Sequence, residues 1–229
     1  MKKFTLWTLI LVLFCGIFAT GFLFKGVFRR PDNRDINVRV ASWDSLASGS
    51  LTGNGSIETP YLISTAGDLA FLSLKFRGSD PNFSLYYNKY YKFEYTLSNG
   101  GIIDLSGNSF VPIGASALTL DFITDGAAFN SPTAVFSGHF NGEYFDGGER
   151  KFLEITGLTD GALFGATELA HIRNIDFINV NISGGMNAAG AVVNYGIDTE
   201  VRNVSVEGTV RSHTTVGGID RKTSCRERV

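Results

Sequence analysis

Residues 171–185, HIRNIDFINVNISGG, are nearly restated by residues 200–213, EVRNVSVEGTVRSH. Ile175 and Phe177 align with Val204 and Val206 at an offset of 29 (204 − 175), and Ile172-Arg173-Asn174 falls on Val201-Arg202-Asn203 at the same offset. The glycine stretch AAGAVV at 188–193 recurs as TVGGI at 215–219, about 27 residues on. Apolar residues alternate within each line, so the period is two, which excludes a helical repeat. A line this short cannot bury its own apolar face. Stacking one line on the next solves the problem, because equivalent strands pair in parallel about 4.8 Å apart and inward Ile, Val and Phe form a continuous column. The expected fold is all-β, a right-handed parallel β-solenoid. Asn174 and Asn203 fall on equivalent corners, where asparagine tolerates left-handed backbone angles or stacks its amide on the next rung.

The remaining chain supplies flanking elements. Residues 31–55 mix polar and small residues around Trp43 and read as a linker into a domain over 56–219. A short strand is expected at Tyr61–Ile63. In STAGDLAFLSLKFRG, Thr65 stands three residues before Asp68, the pattern of a capping box. Leu69, Leu72 and Phe76 follow at helical spacing, with Gly78 to stop the helix. This predicts a short N-terminal capping helix. In YKFEYTLS, Tyr91, Phe93, Tyr95 and Leu97 alternate with Lys92, Glu94, Thr96 and Ser98, the pattern of a half-buried strand. Asp146-Gly147-Gly148 reads as a tight turn, and residues 117–132 as an insertion.

The two ends differ from this body. Lys2 and Lys3 precede an uncharged apolar run, Phe4 to Phe24, of 21 residues (24 − 4 + 1). That is long enough for a helix to cross a bilayer, so residues 1–30 are expected to be a transmembrane anchor or a cleaved export signal. Residues 220–229, DRKTSCRERV, lose all alternation. Their back-translation resembles a sequencing adapter, so they are expected to be a non-native tail in which Cys225 has no role.

Between the ends, residues 31–219 hold 11 Lys+Arg against 20 Asp+Glu, a net charge of −9 (11 − 20). An acidic surface repels phosphate backbones, so no nucleic-acid partner is expected. The same segment contains no cysteine, so a packed core rather than a disulfide framework must hold the exported part.

No catalytic constellation stands out. Asp121, Asp125, Asp146, Asp160 and Asp176 are the carboxylates a polysaccharide lyase or hydrolase could cluster on one face. Asp104 reads as a turn or rung residue. His139, His171 and His213 lie in different repeats without metal-ligand spacing, and are expected at the surface in ordinary roles. Asp121 and Asp125 could approach calcium, but no calcium-loop pattern surrounds them. The sequons at Asn54, Asn82, Asn181 and Asn203 are expected to be fortuitous. The aromatics of NFSLYYNKYYKF could stack on sugars, with strand and cap packing as the simpler reading. No cofactor and no metal are expected.

Several motifs together resemble the GLUG-motif proteins, bacterial surface proteins with β-helical repeats. GSIETPYLISTAGDLAFLS resembles their entry pattern. IIDLSGNSFVPIG and FSGHFNGEYFDGGERKFLEITGL are similar to the segments that follow. The lines at 171–183 and 200–211 look like the repeats, with Val193-Asn194 departing from the usual Val-Gly. The likeness covers about residues 53–219. It implies an extracellular or cell-surface location and a structural or adhesive role, with a glycan or extracellular-matrix ligand and contact with the membrane through the N-terminal helix. It carries no catalytic residues. Two other readings stay open at this point: a polysaccharide-active β-helix enzyme, and a passive stalk for a further domain.

Overall fold

The computed structural model describes residues 42–76, 80–114, 135–159, 161–183 and 189–212, with the backbone of 226–228. The apolar run 4–24, the segment 117–132, Gly78, Asp121, Asp125, Asp160, His213, the stretch 215–219 and Cys225 lie outside the described residues. Among the described residues no helix is long and apolar enough to cross a membrane.

The regular structure of the described residues is mostly strand, arranged as a mainly parallel and strongly curled sheet. The strands are β1 (Tyr61–Ile63), β2 (Tyr90–Phe93), β3 (Ile102–Asp104), β4 (His139–Asn141), β5 (Glu143–Asp146), β6 (Glu149–Thr156), β7 (Phe164–Glu168), β8 (His171–Ser183), β9 (Val193–Ile197), β10 (Glu200–Arg211) and β11 (Arg226–Arg228). The main path runs β1-β2-β4-β8-β10-β11. β6 joins β3, β5 and β8, and β7 pairs with β9 in a second sheet. Among these named strands only the hairpin β5–β6 is antiparallel. Its turn is Gly147-Gly148, with φ of 59° and 85°. Two consecutive positive φ angles define the hairpin turn whose twist suits its strands, and glycine adopts them without a Cβ clash.

The two near-identical lines lie side by side in the register their alignment requires. Ile172, Ile175 and Phe177 of β8 pair with Val201, Val204 and Val206 of β10. The offset then falls to 28 (208 − 180) as Gly208 pairs with Val180. β8 accommodates its extra residue at Asn179, which turns to φ 57°. Inward side chains stack rung upon rung. Tyr61, Tyr91, Phe140, Ile172 and Val201 form one buried column, and Ile103, Ile155 and Phe177 form another. Ile113, Phe164 and Val193 line the second sheet. Each fully buried apolar side chain contributes about 1.5–3 kcal/mol, so these columns are the main stabilising term.

β8 pairs with β4 through residues 171–173 and with β6 through residues 175–178. It therefore bends between them, at Asn174, whose φ is 63°. Asn203 takes φ 49° at the equivalent corner of β10. The Asn203 amide donates to Asn174 Oδ1 at 3.0 Å, and the Asn174 amide donates to Asn141 Oδ1 at 2.6 Å. The corner asparagines thus use both devices expected of them, left-handed angles and an amide ladder.

The helix α1 spans Ala66–Lys75. Asp68 N donates to Thr65 Oγ1, and Thr65 N donates to Asp68 Oδ2, which completes the capping box. Leu69, Leu72 and Phe76 are buried.

Two expectations need correction. Trp43 is buried, its ring 4.8 Å from that of Phe110, and a 3-10 turn at Trp43–Leu46 docks beside α1. Ser48 Oγ donates to Asp68 Oδ1. Residues 42–55 therefore belong to the packed body, where a linker was expected over 31–55. Second, β2 stops at Phe93. The Asn99 side chain accepts from Thr96 N and donates to Glu94 O and Ser64 O, which folds 94–99 into a turn. This local competition with the ladder leaves Leu97 fully at the surface rather than on a core face.

Candidate functional site

The outward positions of β2, β4, β8 and β10 carry what the inward columns do not. Register aligns Tyr90 with His139, His139 with His171, and His171 with Glu200. A parallel ladder keeps equivalent side chains about 4.8 Å apart, near the stacking distance of planar rings. The rings respond accordingly. Tyr90 and His139 stack at 4.3 Å with 6° between their planes, and His139 and His171 at 4.5 Å with 8°. At the end of the stack, His171 Nδ1 meets Glu200 Oε2 at 2.9 Å.

Two residues further along the same strands lies a parallel column of Lys92, Asn141, Arg173 and Arg202. Arg202 also bonds Glu200. Together the two columns border a cleft of about 250 Å³ lined by Tyr90, His139, His171, Arg173, Glu200 and Arg202. Of the cations Lys92, Arg173 and Arg202, the last two line the cleft, and its one carboxylate, Glu200, is already engaged by Arg202 and His171.

The field of this cluster acts on its own titratable groups. Burial, then the neighbouring His171 and Arg173, holds the His139 imidazole below its ordinary value. Burial alone would raise the Glu200 carboxyl, but hydrogen bonds from Arg202 and His171 outweigh it and the net shift is downward. Both effects keep a neutral ring at His139 and an ionised carboxylate at Glu200 at neutral pH.

His139 and His171, expected at the surface in separate repeats, are thus brought into direct contact by register. The signal was present in the triplets YYK, HFN, HIR and EVR, each an outward, inward, outward set. Their spacings of 49 (139 − 90), 32 (171 − 139) and 29 (200 − 171) are unequal, which hides the common register.

Of the candidate carboxylates, Asp121, Asp125 and Asp160 lie outside the described residues, and the described ones have partners of their own. Asp146 forms an ion pair with Lys151 at 2.6 Å across the β5–β6 hairpin, and that hydrogen bond, with a second from Tyr95, lowers its carboxyl. Asp104 accepts from Ser106 N at 2.8 Å and closes a turn. Asp176 pairs in register with Glu154 and accepts from Ser205 Oγ. Among the described residues no group of three His, Cys, Asp or Glu is placed to hold a metal ion. The tyrosine-rich loop divides. Tyr61, Tyr86 and Tyr91 pack together, with Tyr91 OH donating to Tyr86 O, and burial drives the Tyr91 phenol well above its ordinary value. Tyr90 alone turns outward into the ring column. Comparison with protein-family models, with curated proteins and with solved structures finds no match for this chain.

Proposed function

We propose that the chain is an exported, surface-anchored module of the GLUG-motif kind. It winds a right-handed parallel β-solenoid and serves adhesion or architecture without catalysis of its own. One observation carries this reading: the restated line lies on its counterpart in register, with inward columns and an asparagine ladder repeating from rung to rung. Such an array buries a core by stacking and can be extended coil by coil, which suits a stalk that holds a binding surface away from a membrane. Right-handed connection is the strong rule for parallel strands. The apolar run at 4–24 supplies the anchor and the membrane contact, and the ligand is a glycan or extracellular-matrix component.

The test is expression of the full chain in a bacterial host, followed by protease treatment of intact cells and a count of cells retained on polysaccharide- and matrix-coated wells. Surface cleavage with increased retention is expected. Protein recovered intact from the cytoplasm would refute the exported-module reading, and release of sugar fragments from the coating would refute its lack of catalysis.

A further inference from the structure

We propose that the outward strip formed by the rings of Tyr90, His139 and His171 and the cations Lys92, Arg173 and Arg202 binds an acidic polysaccharide laid along the stacking direction, across the strands. This inference rests on the adhesive reading above and names its ligand class.

Charge is the first argument. Residues 31–219 are acidic overall, yet this strip sets three cations against one neutralised carboxylate. Among the described residues neither Lys92 nor Arg173 has a carboxylate within ion-pairing distance. A guanidinium fork matches a carboxylate or sulfate oxygen pair, and such charge-assisted bonds are the stronger kind.

Spacing is the second. Neighbouring rungs lie about 4.8 Å apart. An extended glycan advances by nearly that step per sugar, so each ring of the ligand meets a new rung of the protein. Lys92 and Arg173 stand two rungs apart, with Asn141 between them, and Arg202 follows one rung on. An anionic group on alternate sugars therefore repeats at the Lys92-to-Arg173 interval of about 10 Å.

Ring orientation is the third, and it selects among polyanions. The planes of Tyr90, His139 and His171 lie nearly parallel, so both faces of His139 are covered by its neighbours. At His139 solvent therefore meets a ring edge, and the Tyr90 hydroxyl and His171 ring nitrogens add polar edges beside it. Sugar hydroxyls and anions bond to edges, whereas nucleic-acid bases need open faces.

Proton linkage gives the strip a signature. His139 faces Tyr90 and Lys92 on β2, His171 and Arg173 on β8, and, beyond His171, Glu200 and Arg202 on β10. Burial first, and then the charges of His171 and Arg173, oppose protonation of His139 in the free site. A bound anion offsets those charges, so binding takes up protons and affinity rises as pH falls.

The experiment measures binding of the full chain to polygalacturonate, dextran sulfate, neutral dextran and single-stranded DNA by calorimetry at low ionic strength. At least one acidic polysaccharide should bind and neutral dextran should not; comparison of the first two ligands identifies carboxylate or sulfate as the recognised group. R173S and R202S should each weaken binding about tenfold. K151S, on the β5–β6 hairpin, should leave it within about twofold. Wild-type affinity should rise between about pH 7.5 and about pH 5.5, and H139Q should flatten that rise. Failure of both acidic polysaccharides to bind, unchanged binding in R173S and R202S, or equally tight DNA binding lost in the same variants would each overturn the proposal. Surface display with cell retention but no polyanion binding removes this ligand and leaves the exported-module reading intact. Polysaccharide binding by a chain that stays in the cytoplasm does the reverse.

Discussion

Asn174 sits where β8 bends between β4 and β6, and its replacement separates the two devices used at that corner. It is 3% exposed, at φ 63°, donating to Asn141 Oδ1 and accepting from Asn203 Nδ2. N174A removes three amide hydrogen bonds; the donation to Glu143 Oε2 is long, at 3.5 Å, and the two shorter bonds are worth about 1 kcal/mol each. It also holds a Cβ-bearing residue in left-handed backbone without a local polar partner, at about 1–2 kcal/mol. The expected loss is about 3–4 kcal/mol. N174G loses the same bonds but adopts the angle freely, and its extra chain entropy costs about 0.5–1 kcal/mol. It should therefore be about 0.5–1 kcal/mol less destabilised than N174A. N203A breaks one bond at an exposed position and also leaves alanine at φ 49°, so it should cost about 2–3 kcal/mol. Urea unfolding followed by circular dichroism reads these values. With a slope of about 3 kcal/mol/M, N174A should lower the midpoint by about 1 M. A midpoint for N174A within about 0.2 M of wild type, or N174G below N174A, would refute the corner argument.

Phe177 lies fully buried between Ile155 and Val206, so F177A should cost about 3–5 kcal/mol in the same assay, with a fall in thermal midpoint. The Asp68 carboxylate accepts from Ser48 Oγ, Ser64 N and Thr65 N, tying the Trp43 segment to α1. D68A should therefore destabilise by about 2–4 kcal/mol, and the fluorescence of Trp43 should shift toward that of a solvated indole. His139 titrates below its unfolded value in the native state, so the unfolded chain binds more protons as pH drops. Stability is complete above about pH 6.5 and declines as pH falls from there toward the lowered native value. H139Q should flatten this decline in thermal scans taken across that window; an unchanged slope would remove His139 as its source.

The register of β8 on β10 was legible from the chain alone, and so were the corner asparagines, the capping box and the Gly147-Gly148 turn. Each depends on neighbours in sequence or on a line repeated at constant offset, so a linear reading captures the relevant distances. The ring column was not legible in this way. Tyr90, His139 and His171 belong to rungs separated by loops of unequal length, and loop closure, not spacing, decides which outward residues meet. Trp43 escaped for a related reason: a polar, glycine-rich setting reads as a linker, while burial against Phe110 depends on partners far along the chain. The end of β2 at Phe93 was set by Asn99, whose amide reaches back to Ser64 and Glu94. Alternation marks what a strand could bury, but only the folded sheet determines where competing hydrogen bonds end it and which polar edges line up outside.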